Sequence, residues 1–158
     1  MDTLHPEFLN FVKCAKLHNL RYLLIGGYAV NYYGYMRHTQ DMDIWIAPTN
    51  ENRTCFINTM LCMGYSANEV VHLNEEDFTK PFKADIGVVD ADIDILTYVH
   101  HNISYNDAEK SMEFIEIDKG IIIPVVPYKI LIEMKLLTRR DKDINDIQNL
   151  EKLRNSKP

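Results

Sequence analysis

The alternation of hydrophobic and polar positions divides the first part of the chain into short, regular elements. From Pro6 to about His18, apolar residues recur close to every 3.6 positions, which predicts a helix. A short apolar run from Arg21 to Ile25 ends at Gly26-Gly27, and this predicts a buried strand followed by a tight turn. We expect a short helix over Tyr28–Tyr33 to follow that turn.

The rest of the chain shows similar alternation of hydrophobic and polar residues. Asp41 to Ile46 alternates with period two, which predicts a second strand, and Thr49 or Asn50 can cap a helix that ends near Met63. Residues 65–82 show no clear pattern. Further strands are predicted over residues 84–88, 91–99, 112–117 and 121–125, and helices over residues 128–137 and 144–153. This order predicts an α/β (α+β) fold in which helices flank a mixed sheet.

No repeat or linker divides the chain. We therefore expect one domain over residues 1–158, with a core at about 21–125 and a helical tail at about 127–154. The apolar runs are too short to cross a membrane, which needs roughly 18 residues. Asp2 and Glu7 stand where a signal peptide would have a basic start and an apolar run, so secretion is not expected.

Charge and cysteine content exclude further classes of protein. The chain has 17 basic and 23 acidic residues, a net charge of −6, which argues against a protein that binds nucleic acid over its whole surface. The charge is uneven, because residues 1–128 carry −9 and residues 129–158 carry +3. The three cysteines, Cys14, Cys55 and Cys62, contain no C-x-x-C pair. We therefore expect no disulfide and no thiolate zinc site, and a reduced, cytoplasmic protein.

Several aspartates alternate along the predicted strands. Asp41 and Asp43 point to one face of their strand, where two like charges repel unless a cation lies between them. Mg²⁺ prefers such oxygen ligands, and the alternative is a strand face exposed to water. Asp94 lies between Ile93 and Ile95, where a purely solvated role suits it least.

Gly26-Gly27 allows two interpretations. Without Cβ atoms, a phosphate could approach backbone N–H groups at the start of the following helix. An ordinary strand-to-helix turn is the other interpretation.

The order of these motifs resembles a known superfamily. The segments are Leu24-Ile25-Gly26-Gly27-Tyr28-Ala29-Val30, Arg37-His38-Thr39-Gln40-Asp41-Met42-Asp43-Ile44 and Ile93-Asp94-Ile95-Leu96. They resemble the nucleotidyltransferase-fold superfamily that includes DNA polymerase beta, and more closely a small bacterial group related to AbiEii-like toxins and minimal nucleotidyltransferases. The tail from Lys135 to Ile147 is similar to that group's closing element. Better-studied superfamily members have Gly-Ser where this chain has Gly26-Gly27.

The resemblance implies a site and a reaction. Asp41, Asp43 and Asp94 would hold Mg²⁺ (or Mn²⁺), and Gly26 and Gly27 would bind the phosphates of a nucleoside triphosphate. Four further residues are candidates for nucleotide binding, each with a structural alternative. Arg37 and Thr39 would orient phosphate or fix the start of the strand, while Lys135 and Arg140 would neutralise the triphosphate or pair with Asp143 and Asp146.

The implied activity is transfer of an NMP unit from an NTP, such as ATP, to a hydroxyl group of a protein, an RNA 3′ end or a small molecule. A place in a toxin–antitoxin system is implied too, with a cognate toxin or antitoxin protein as partner or a tRNA as acceptor. The alternative is a nucleotide-binding or antitoxin-like module that does not catalyse transfer. Trp45 could border a base or belong to the core, and His100-His101 show no metal-binding spacing.

Overall fold

The computed structural model describes residues 4–156, so Asp2 and the outermost residues of the predicted domain lie outside the described part. The strands are β1 (Tyr22–Ile25), β2 (Met42–Ile46), β3 (Lys83–Val88), β4 (Ala91–Leu96), β5 (Glu113–Asp118) and β6 (Ile121–Val125). The helices are α1 (Pro6–Leu17), α2 (Gly26–Tyr32), α3 (Asn50–Met63), α4 (Ala67–Val70), α5 (Tyr105–Lys110), α6 (Tyr128–Thr138) and α7 (Asp141–Ser156). A 3₁₀ turn at Val71–Glu75 follows α4.

The six strands form one mixed sheet in the order β3-β4-β2-β1-β6-β5. Strand β2 is antiparallel to β1 and parallel to β4, while β1 is parallel to β6. The pairs β3–β4 and β5–β6 are antiparallel hairpins at the two edges. The predicted fold class, a mixed sheet flanked by helices, is confirmed.

The element bounds differ from the predictions at points that matter for the site. Helix α2 begins at Gly26 itself, so the two glycines are the first residues of the helix rather than a turn before it. Strand β2 begins at Met42, and the exposed Asp41 precedes it. Residues 65–82, which had no assignment, contain α4 and the 3₁₀ turn, and α5 was not expected. Each of these missed helices has six residues or fewer, too short for a 3.6-residue period to stand out.

The centre of the sheet is buried, and Trp45 belongs to that core. Only 1% of Trp45 is exposed, its Nε1 donates a hydrogen bond to the Thr97 carbonyl at 3.3 Å, and its ring meets Tyr105 edge-on. Of the two roles considered for Trp45, packing in the core is the one observed.

The expectation that no disulfide forms is wrong. Helix α1 packs against α3, and Cys14 and Cys62 form a disulfide with their Cα atoms 5.7 Å apart, inside the range that a disulfide spans. The two residues are 48 positions apart, so only tertiary packing brings them together. Cys55 remains a free, half-buried thiol. A cytoplasmic location stays a prediction, and no helix in residues 4–156 is long and apolar enough to cross a membrane.

Candidate functional site

An open cleft of about 880 Å³ lies between the sheet and the C-terminal helices. It brings together all nine residues that were singled out as site candidates: Gly26, Gly27, Arg37, Thr39, Asp41, Asp43, Asp94, Lys135 and Arg140. They come from segments more than 100 positions apart in the chain. The fold therefore collects the separate motifs into one place.

Three aspartates lie side by side across the sheet. Asp43 on β2 is opposite Asp94 on β4, and Asp94 is opposite Asp85 on β3. Side chains at paired positions of neighbouring strands point to the same face, so these carboxylates form a row. Asp85 was missed in the sequence, although Lys83, Asp85 and Gly87 alternate with less polar residues as the row requires.

Burial and neighbouring carboxylates shift the pKa values of Asp43 and Asp94. Burial raises the pKa of Asp43, and the nearby charge of Asp41 adds to that rise. Burial, a hydrogen bond with Asp85 and the charge of Asp43 raise the pKa of Asp94 to about 7. A bound cation would favour the charged forms of both carboxylates, because an opposite charge offsets burial and like-charge repulsion.

The donor set fits one type of metal site. Within residues 4–156, no group of three or more His, Cys, Asp or Glu side chains is arranged to hold a metal ion. Mg²⁺, however, commonly binds through one or two carboxylates while substrate phosphates and water complete its shell. Asp43 and Asp94, with Asp41 nearby, fit that pattern.

Close packing explains both glycines at the start of α2. Gly26 has φ +68°, and a Cβ there would lie well inside contact distance of the Asp43 carboxylate. A Cβ at Gly27 would lie 2.5 Å from Thr39 Oγ1 and 2.9 Å from Thr39 Cβ. Any larger residue would displace Asp43 or Thr39, so the glycines keep the aspartate and the threonine against the helix.

This packing relates to position 27, where the better-studied nucleotidyltransferases have a serine and this chain has a glycine. The Thr39 hydroxyl occupies the space that a serine side chain at position 27 would enter. A hydroxyl group is therefore present beside Gly27, supplied by the loop before β2 rather than by the helix.

A network of ion pairs joins that loop to the C-terminal helices. Arg37 donates from Nε and Nη2 to the two carboxylate oxygens of Asp146, at 2.7 and 2.9 Å. Lys135 Nζ donates to Asp146 at 2.8 Å and to Asp143 at 3.5 Å. Arg140 donates from Nε and Nη2 to Asp143 at 2.8 and 3.2 Å.

The two carboxylates of the network are almost fully buried, with Asp143 1% and Asp146 0% exposed. Burial alone would raise their pKa values. Hydrogen bonds from Arg140 and Thr138 nevertheless lower the pKa of Asp143, and those from Arg37 and Lys135 lower the pKa of Asp146. The intramolecular pairing considered for the tail is therefore present, although Arg37, Lys135 and Arg140 also line the cleft.

The cleft also contains residues that were not predicted as site residues. Lys83, Lys142, His38 and His100 line its walls. Lys142 lies in a charged segment and Lys83 lies between Phe82 and Ala84, and neither pattern distinguishes the residue from a surface lysine.

Comparison with known proteins adds no assignment, since the chain matches no family model and no curated protein. The resemblance to nucleotidyltransferases therefore rests on the sequence motifs alone.

Proposed function

We propose that the chain is a Mg²⁺- or Mn²⁺-dependent nucleotidyltransferase, which transfers an NMP unit from an NTP to a hydroxyl acceptor. The observation that carries the proposal is the pairing of Asp43 and Asp94 on adjacent strands of one cleft, beside a helix start where Gly26 and Gly27 leave room for the side chains of Asp43 and Thr39. Burial and mutual repulsion disfavour two charged carboxylates there unless a cation joins them.

Each group has a defined task in this mechanism. Asp43 and Asp94, together with Asp41, would hold Mg²⁺, which would neutralise phosphate charge and favour ionisation of the acceptor hydroxyl. The acceptor oxygen forms a bond to the α-phosphorus as the bond to the bridging oxygen breaks and pyrophosphate leaves. Asp94, which is paired with Asp43 across the two strands, would accept the hydroxyl proton. Thr39 and the backbone of Gly27 face the same space and would orient the phosphates.

The test is a transfer assay. The purified protein is incubated with each α-labelled NTP, Mg²⁺ and cell extract, and labelled macromolecules and small molecules are separated. We expect a labelled product with the wild type and none with Asp43→Asn or Asp94→Asn. Asp92→Asn is the matched control, because Asp92 lies on the same strand as Asp94 but is exposed and does not line the cleft. Full transfer by Asp43→Asn would refute the proposed site.

The chemical class of the acceptor can be determined in the same assay. A label on protein, on an RNA 3′ end or on a small molecule would each identify the acceptor, and the net charge of −6 favours a protein or a small molecule over nucleic acid. By the same resemblance, we propose that the protein works with a cognate partner in a toxin–antitoxin system.

A second candidate function is nucleotide binding without transfer, as in an antitoxin-like module. It is favoured by one observation, that three basic residues of the cleft already pair with Asp143 and Asp146. Calorimetry with Mg²⁺ and NTP beside the transfer assay separates the two functions. Binding without product across all acceptor fractions would support the second.

A further inference from the structure

The basic residues of the cleft fall into two groups by what their charges contact. Arg37, Lys135 and Arg140 each make an ion pair with Asp143 or Asp146. Arg37 and Lys135 are also enclosed, with 23% and 8% of their side chains exposed. To bind a phosphate with the same donors, either would have to give up an ion pair with a buried carboxylate, which is costly. These two side chains are therefore suited to hold the cleft together rather than to bind a ligand.

Lys142 belongs to the other group. It is exposed, lines the cleft, and makes no ion pair with any residue in the range 4–156. It is the second residue of α7, where the helix dipole disfavours a cation and favours an anion. Local rules broken in this way commonly mark functional positions.

Lys142 also lines the same cleft as Asp43 and Asp94. Burial raises the pKa of Asp43, and the positive charge of Lys142 offsets only part of that rise. Lys83, the other unpaired lysine of the cleft, lies on β3 opposite Leu96, and β4 separates its strand from the strand of Asp43. Within residues 4–156, Lys142 is therefore a cation without an ion pair in the same cleft as the carboxylate proposed to hold the metal.

We propose that Lys142 binds the terminal phosphates of the nucleoside triphosphate and so makes the cleft selective for a triphosphate over a monophosphate. The inference rests on the proposed function. An ammonium group on a flexible stem can donate up to three hydrogen bonds to phosphate oxygens, and Lys142 lines the same cleft as the carboxylates that would hold the metal of the nucleotide. Arg37 and Lys135 then act as positioning residues.

The experiment measures nucleotide affinity without turnover. Each of ATP, GTP, CTP and UTP, and each corresponding monophosphate, is titrated with Mg²⁺ into the protein in a calorimeter. The proteins are the wild type, Lys142→Gln, Lys142→Arg and the matched control Lys152→Gln. Lys152 is an exposed lysine on the same helix that does not line the cleft. The substitution Lys152→Gln therefore removes the same charge from α7 without changing the cleft.

We expect Lys142→Gln to bind the preferred triphosphate about tenfold more weakly than the wild type does, which corresponds to the loss of one charge-assisted hydrogen bond. Its affinity for the monophosphate is expected to equal that of the wild type. Lys142→Arg is expected to keep most of the affinity, and Lys152→Gln all of it. Equal triphosphate affinity in Lys142→Gln and the wild type overturns the inference, as does an equal loss for both ligands. A wild type that binds none of the four triphosphates overturns the proposed function instead, and the inference with it.

Discussion

Substitution of Asp146 tests the ion network most directly, because the Asp146 carboxylate has no exposed surface and accepts hydrogen bonds from two cations. The substitution Asp146→Asn keeps the size and shape of the side chain and removes its charge. The new amide can accept with its oxygen, but its NH₂ group must then face Arg37 or Lys135, which are donors only. Both cations remain, and only Asp143 is left to compensate Lys135.

The expected cost follows from this geometry. Removing one partner of a buried ion pair destabilises a protein by about 3–5 kcal/mol. For a chain of this size each kcal/mol corresponds to about 2–4 °C, so the melting temperature of Asp146→Asn is expected to fall by about 6 °C or more. Urea unfolding followed by circular dichroism measures the free energy directly. The control is Asp90→Asn, an exposed turn residue, for which a change below about 0.5 kcal/mol is expected.

The pH dependence gives a second readout of the same network. Because the pKa of Asp146 is lowered in the folded state, its charge stabilises the protein above the unfolded pKa of about 3.9, and that stability is lost as the pH falls through the folded pKa. The difference in unfolding free energy between the wild type and Asp146→Asn should therefore be largest near neutral pH and shrink below about pH 4. A loss no greater than that of Asp90→Asn at pH 7 would refute the reasoning.

Two further predictions concern packing. Gly27→Ala should destabilise the protein, because its Cβ would lie 2.5 Å from Thr39 Oγ1, and the added change Thr39→Gly should restore part of the loss by removing both close atoms; thermal unfolding of the two single variants and the double variant measures the coupling. Reduction with dithiothreitol should lower the unfolding midpoint of the wild type by breaking the Cys14–Cys62 link, but leave that of Cys14→Ser unchanged. Equal effects of the reductant on both proteins would contradict that prediction.

Much of the fold could be predicted because the elements that form it have strong local signals. The apolar period of α1 reflects burial of one helix face, which the structure shows, while the alternation of β2 marks a central strand that is buried on both faces except at the half-buried Asp43. The disulfide and Asp85 could not be predicted in this way. Both depend on which elements become neighbours, Cys14 through the packing of α1 on α3 and Asp85 through the pairing of β3 with β4.

The site shows the same division between local and tertiary information. Its aspartates and glycines could be picked out because charges in apolar strands and paired glycines are unusual. Their surroundings give each residue its task, since Arg37 becomes a partner of Asp146 only when α7 packs beside the loop that precedes β2. The sequence signal for Arg37 is the same whether it binds a phosphate or a carboxylate, because both ligands accept from the guanidinium in the same geometry.

Two different arrangements of charge lie at the cleft, and the net charge of −6 does not distinguish them. In the network of Asp143 and Asp146, opposite charges meet within the protein, and the buried carboxylates keep lowered pKa values. In the row of Asp43, Asp94 and Asp85, like charges meet, and the pKa of Asp94 rises to about 7. A ligand that carries a divalent cation would relieve the repulsion in the row, so its binding energy would also appear as added stability of the folded state. In the first arrangement the cations belong to the protein itself, whereas the proposed function assigns the cation of the second arrangement to the bound ligand.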